Sequence, residues 1–222
     1  MPATTLFQLT VRGTPIPDDL EAARALHNQT AGADASMAAA RALGDLSHNV
    51  YAPLESGRRE LLFLDTWTSL EGLGQFFANP QVIESAGLLF KEREGVAWMP
   101  ADGFGSFALL APSGRPAAGV GLLRAELSSV DAAREAFAAQ TAATIGPARA
   151  VGLLSHNVFL RLPAGPGEPA PLELLGIDHW FDLDGMGGFY ADLENLRLLE
   201  PAFAGPPETS VWRPAPGAWR EW

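Results

Sequence analysis

Leu46-Ser47-His48-Asn49-Val50-Tyr51 returns further along the chain as Leu154-Ser155-His156-Asn157-Val158-Phe159. Outward from this block the echo continues in order. Asp65-Thr66-Trp67 returns as Asp178-His179-Trp180, Trp98-Met99-Pro100 as Trp212-Arg213-Pro214, and Gln29-Thr30-Ala31 as Gln140-Thr141-Ala142. The spacing is roughly 110 residues, far beyond a solenoid period of about 20–50. Each copy is therefore expected to be a small domain. The repeat also acts as an alignment of two, in which shared residues report shared geometry and unshared ones mark where a site can specialise.

One copy reads as six elements. Leu6 to Val11 alternates and stops at Gly13, as a strand does. Asp18 and Asp19 open a helix over about Leu20 to Thr30. In the second copy Val130, Ala133, Ala136 and Phe137 form its apolar stripe. Leu46 to Ala52 and Glu60 to Trp67 are strands joined by a turn at Glu55-Ser56-Gly57-Arg58; the second copy has a longer hairpin, Pro163 to Pro171. A second helix starts at Ser69 or Asp182, both good N-caps. Its buried stripe is Leu70, Leu73, Phe76 and Phe77, or Leu183, Met186, Phe189 and Tyr190. Asn79-Pro80 breaks it in the first copy. Gly95 to Met99 and Thr209 to Arg213 are the closing strands.

The order strand, helix, strand, strand, helix, strand is the ferredoxin-like unit of an α+β protein. Its sheet has helices on one face and needs cover on the other, which a tethered second copy supplies. The expected layout is module 1 over 1–108, a turn-rich linker over 109–117 and module 2 over 118–222, with the chain acting as an intramolecular pseudo-dimer and further pairing of whole chains left open.

Composition narrows the function classes. Of 222 residues 47% are hydrophobic and 18% charged, as in a globular protein. The net charge is −11 and Lys91 is the only lysine, so neither nucleic acid nor an anionic membrane is an expected partner. There are no cysteines, hence no disulfide, thiolate metal site or Cys nucleophile. The start, Met1-Pro2-Ala3-Thr4-Thr5, carries no signal-peptide pattern, and a cytoplasmic location is expected. Dinucleotide, P-loop and serine-elbow motifs are missing.

An acidic-x-Trp strand end running into an amphipathic helix resembles the antibiotic-biosynthesis-monooxygenase family of dimeric α+β barrels. The residues are Asp65-Thr66-Trp67 with Thr68 to Pro80, and Asp178-His179-Trp180 with Phe181 to Tyr190. The resemblance implies two ferredoxin-like modules fused into an intramolecular dimeric α+β barrel. It further implies a cofactor-independent monooxygenase or cyclase working on a small aromatic or polyketide-like molecule in a pocket between sheet and helices. A non-catalytic ligand-binding or structural protein on the same fold is the alternative. The family's haem-degrading branch uses a His on the second helix; 68–90 and 181–200 contain none, so no cofactor is expected.

Imidazole titrates near neutrality, so His48, His156 and His179 are the candidate proton-transfer residues. Alternation sets His48 and Val50 on one strand face and Ser47, Asn49 and Tyr51 on the other. The bland reading makes the two equivalent histidines interface hydrogen-bonders. Asn49, Asn157, Tyr51, Phe159, Trp67 and Trp180 are the candidate substrate contacts. The alternatives are that the asparagines satisfy buried backbone and the tryptophans anchor the core, with Asp65 or Asp178 accepting an indole N–H. His179 replaces Thr66 and lies near His156 across the ladder. With Glu173 it would make only a weak metal site, so no metal is expected. His27, on the first helix, is expected to face solvent.

Overall fold

Strand alternation and helix caps place almost every element where the sequence puts it. The computed structural model describes residues 5–55, 57–108, 117–165 and 167–222. The expected linker lies outside these apart from Ala117, as do Ser56 in the short hairpin turn, residue 166 in the long one and the N-terminal residues 1–4. Contacts divide the chain into two units, residues 1–97 with 214–222, and residues 98–213. The tail that follows the second copy's last strand thus belongs with the first unit.

The first unit runs β1 (Phe7–Pro15), α1 (Leu20–Gln29), α2 (Asp34–Ala42), β2 (Asp45–Pro53), β3 (Leu61–Trp67), α3 (Leu70–Phe77), α4 (Pro80–Leu89) and β4 (Phe90–Pro100), the end of β4 passing into the second unit. Its strand order is β4-β1-β3-β2, with β3 antiparallel to both β1 and β2. The second unit contains β5 (Phe107–Ala108), β6 (Gly119–Glu126), α5 (Val130–Ala150), β7 (Leu153–Arg161), β8 (Glu173–Trp180), α6 (Leu183–Ala191), α7 (Leu193–Arg197) and β9 (Glu208–Pro214). Its order is β9-β6-β8-β7-β5, again antiparallel. Both are ferredoxin-like, and the chain is α+β.

The caps explain the helix starts. Asp19, Ser69, Ser129 and Asp182 each accept a backbone N–H from the first turn, satisfying donors a helix cannot satisfy itself. Behind the second helix, Gly72 and Gly185 come so close to the Leu43 and Val151 carbonyls that a Cβ would overlap them. Glycine is required there.

Three details differ from expectation. Helix α2 follows α1 after a break at residues 30–33, whereas α5 runs unbroken for 21 residues. Gly32 stands in that break; a Cβ on it would press on Arg220 of the C-terminal tail. Leu70 is exposed, so the α3 stripe that packs is Leu73, Phe76 and Phe77. Finally, His27 does not face solvent. It is fully buried among Phe63, His48 and Trp219.

Each unit has its own core. Leu9, Val50, Leu61, Phe63 and Trp67 are buried in the first; Phe104, Phe137, Val158 and Leu174 in the second. Among the described residues no helix is long and apolar enough to cross a membrane.

Candidate functional site

Both units build an Asp–His pair across the second and third strands. Register sets His48 opposite Asp65 and His156 opposite Asp178. In both cases the helix-covered face of the sheet receives the pair. His48 Nδ1 donates to Asp65 Oδ1 at 2.7 Å, and His156 Nδ1 donates to Asp178 Oδ1 at 2.6 Å. The carboxylates thus hold imidazoles. They do not hold the neighbouring indoles: Trp67 Nε1 has no partner among the described residues, and Trp180 Nε1 donates to Tyr190 Oη at 3.3 Å.

Beyond the shared pair the units diverge. In the first, His48 Nε2 lies 3.0 Å from His27 Nε2, and His27 Nδ1 lies 3.0 Å from Asn28 Oδ1. The C-terminal tail fixes the end of this chain. Arg220 N donates to Asn28 Oδ1, and Asn28 Nδ2 donates to the Ala218 carbonyl. Asn28 Oδ1 is therefore an acceptor, which makes His27 Nδ1 a donor and leaves Nε2 of neutral His27 to accept from His48. With Asp65 accepting at Nδ1, His48 carries both protons.

The electrostatics agree with this wiring. Burial, then the charge of His48, pulls His27 down to about 4, so it is neutral at pH 7. Burial also acts against charged His48, but the Asp65 charge and hydrogen bond, with Asp45 and Glu221, raise it above its ordinary value. Asp45 is pushed up to about 7 by burial first and by the Asp65 charge second. The Trp222 indole pulls Asp45 the other way, and among the described residues neither Asp45 Oδ1 nor Trp222 Nε1 makes a hydrogen bond of ordinary geometry.

The tail also closes over the first pair. Trp222 stacks on His48 with centroids 4.6 Å apart and exchanges backbone hydrogen bonds with it. The Glu221 carboxylate accepts from Val50 N at 2.6 Å.

Across the two units the helix N-caps Asp19 and Ser129, and the buried pairs Ala23/His27 and Ala133/Phe137, occupy matching positions. Phe137 consequently stands where His27 does, stacked at 19° on His156 with centroids 6.2 Å apart. This register differs by one residue from the Gln-Thr-Ala echo. Phe107, opposite His156 in the β5–β7 ladder, takes the place of Trp222, and Ser106 Oγ accepts from Val158 N as Glu221 does from Val50 N. A phenyl ring offers imidazole no hydrogen bond. His156 Nε2 accordingly has no partner among the described residues, although His156 is only 9% exposed.

A second substitution pair surrounds the carboxylate. Leu9 lies opposite Asp65, and Gly121 opposite Asp178. The space that Leu9 fills is taken in the second unit by the phenol of Tyr190, which any side chain at Gly121 would overlap. Tyr190 Oη donates to Asp178 Oδ2 at 2.7 Å. Burial first, and then the Asp178 charge and hydrogen bond, keep this phenol well above its ordinary pKa and so protonated. Phe77 stands at the Tyr190 position in the first unit.

The remaining candidates lie elsewhere. His179 sits on the opposite face of β8 from Asp178, bonded to Ser155 Oγ at 3.0 Å and pulled below its ordinary pKa by burial. Glu173 is held by Arg124 and Arg161, and among the described residues no cluster suited to a metal forms. Asn49 and Asn157 are half-buried on the faces opposite the two pairs. Tyr51 is buried, and burial followed by the Glu221 charge raises it to about 12; its counterpart Phe159 is half-buried opposite Leu175 and Pro100. Trp67 and Trp180 are fully buried beneath the second helices.

Sequence reading alone missed His27, Phe137, Tyr190, Phe107 and the tail. One signal was present. Ala101-Asp102-Gly103-Phe104 and Ala215-Pro216-Gly217-Ala218-Trp219 extend the repeat past its last strand, with Gly103 and Gly217 both at positive φ.

No family model matches the chain, and no curated protein matches it in sequence. Solved structures do resemble it. An anthrone oxidase-like protein superposes with a TM-score of 0.65 at 16% identity, over 96% of this chain and 92% of that one. A ferredoxin-fold protein related to antibiotic biosynthesis monooxygenases, from Listeria monocytogenes 4b F2365, gives 0.51 at 10% identity over 95% of each. A mutant chlorite dismutase from Candidatus Nitrospira defluvii gives 0.54 at 10% identity, over 97% and 94%. At these identities the likeness establishes a ferredoxin-like α+β fold.

Proposed function

We propose that the chain is a fused two-module member of the antibiotic-biosynthesis-monooxygenase-like group, working as a cofactor-independent monooxygenase in its second unit. The observation that carries this reading is the free Nε2 of His156, buried while Asp178 holds Nδ1. In neutral imidazole so held, the lone pair is on Nε2, the arrangement of a general base. Tyr190 donates to the second carboxylate oxygen and keeps Asp178 oriented. Phe137 and Phe107 flank the imidazole ring.

The chemistry balances without a further reductant. His156 Nε2 takes a proton from an acidic ring CH2 of a phenolic polycycle. The carbanion passes one electron to O2, and the radical pair joins to form a C–O bond. The resulting hydroperoxide loses water to give the ketone. One oxygen atom enters the product, and the other leaves as water with the two CH2 hydrogens.

Anthrone is the natural probe, because one structural neighbour is named anthrone oxidase-like. The test is O2 uptake and quinone formation by wild type and H156Q. Turnover that falls about 100-fold or more on substitution supports the base role, whereas equal rates sink it. The first unit fits the non-catalytic alternative, since both nitrogens of His48 are already bonded.

A further inference from the structure

We infer that Phe137 is a positioning residue that decides which unit can act, by denying His156 a hydrogen-bonding neighbour. The inference rests on the reading of His156 as base and deepens it. The two imidazoles are held alike on the Nδ1 side, by Asp65 and by Asp178. They differ on the Nε2 side. There the first unit presents an imidazole nitrogen at 3.0 Å, and the second presents a phenyl ring.

The difference is chemical more than steric. His27 and Phe137 are planar rings of similar size, near-parallel to their partner imidazoles at 6° and 19°. Both sit one helical turn after a buried alanine, Ala23 or Ala133. Only the ring at the His27 position has a nitrogen that can accept a proton-bearing Nε2. Its presence completes a line from Asp65 through His48 and His27 to Asn28, and the C-terminal tail orients Asn28. That line stabilises a doubly protonated imidazole, which cannot act as a base. Phe137 breaks the corresponding line at its first link. What the Nε2 of the dyad histidine can bond to is therefore written on the facing helix.

The test swaps the two rings. F137H should place an imidazole nitrogen against His156 Nε2, and nitrogen-15 spectra of the histidine rings should then show that nitrogen hydrogen-bonded, as it is not in wild type. Ala138 stands where Asn28 does, so F137H/A138N is the variant expected to protonate both His156 nitrogens near pH 7. H27F should do the reverse to His48, removing the hydrogen bond at its Nε2 while Asp65, Asp45 and Glu221 still favour the charged ring. F137L removes the ring but adds no nitrogen, so it should leave the His156 tautomer as in wild type. In the anthrone assay F137H should lose at least about 100-fold, the scale of a missing general base, and F137L less than about tenfold.

The outcomes separate two failures. If H156Q turns over at the wild-type rate, the base reading falls. If H156Q is inactive while F137H keeps wild-type activity, the role of Phe137 falls and the base reading stands. Unchanged nitrogen-15 signals of His156 in folded F137H overturn the inference with or without any turnover. If F137H does not fold, H27F decides through the His48 signals in the same way.

Discussion

The two units share a strand pair, an Asp and a His, yet they treat the same dyad in opposite ways. In the first, His48 is bonded on both nitrogens and roofed by the stacked Trp222. In the second, Asp178 holds His156 on one side only, and the carboxylate gains a phenol instead. Four exchanges contribute to this, His27 for Phe137, Trp222 for Phe107, Leu9 for Gly121 and Phe77 for Tyr190, alongside the carboxylates of Asp45 and Glu221, whose places hold Leu153 and Ser106 in the second unit. None lies in the repeated hexapeptide. A duplicated motif can therefore be bonded on both nitrogens in one copy and on one in the other, depending on residues far away in sequence.

The comparison breaks most clearly on the histidines. H156Q should lower kcat/KM on anthrone by about 100- to 10,000-fold, while H48Q should leave turnover standing. Turnover lost equally in both would mean that the units are not specialised. H48Q should act on stability instead. It leaves the buried Asp65 carboxylate without its ion-pair partner, a loss of about 3–5 kcal/mol in denaturant unfolding.

The carboxylate side gives a smaller, reciprocal test. Y190F strips a donor from Asp178 and an acceptor from Trp180, at about 1–3 kcal/mol. F77Y should cost about 1–3 kcal/mol by crowding Leu9, and L9G added to F77Y should relieve that crowding. If the double variant is no better than F77Y alone, the Leu9–Gly121 exchange is unrelated to the phenol.

A pH dependence confined to the first unit completes the comparison. Asp45 keeps its proton up to about 7 when folded, against 3.8 ordinarily. Through that window the unfolded chain has lost a proton that the folded chain still holds, so stability falls as pH rises. D45N removes this dependence. Its unfolding free energy relative to wild type should climb between about 3.8 and about 7 and then level off, by at most about 1.4 kcal/mol for each pH unit crossed. Raised His48 works in the same direction at higher pH. Its contribution is complete below its ordinary value and fades as pH passes the folded one.

Much of this fold was legible in the chain. The period-2 strands, the caps Ser69 and Asp182, and the Asn79-Pro80 break are local signals, and local signals were enough for the element order. His48 and His156 stood out for the same reason, because the repeat displayed them. Their partners did not. Asp65 and Asp178 were seen, but as caps for indoles, since strand register decides that they meet imidazoles instead. His27 was read as solvent-facing because its helix is rich in alanine and shows no strong stripe. Phe137 was recognised as core, while its role depends on what it replaces. Tyr190 looked like one more stripe residue until Gly121 was placed beside its hydroxyl.

The membership of residues 214–222 in the first unit has a kinetic consequence. Contacts such as Val50 with Glu221 and Asn28 with Arg220 join positions 171 and 192 residues apart. Closing loops of that length is slow compared with pairing neighbouring strands. On a ribosome, which releases chain from the N-terminal end, the entire second unit emerges before the first can be completed. Until then the His27–His48 pair lacks the aromatic cover that the tail provides. The half of the protein made first is therefore the half that finishes last.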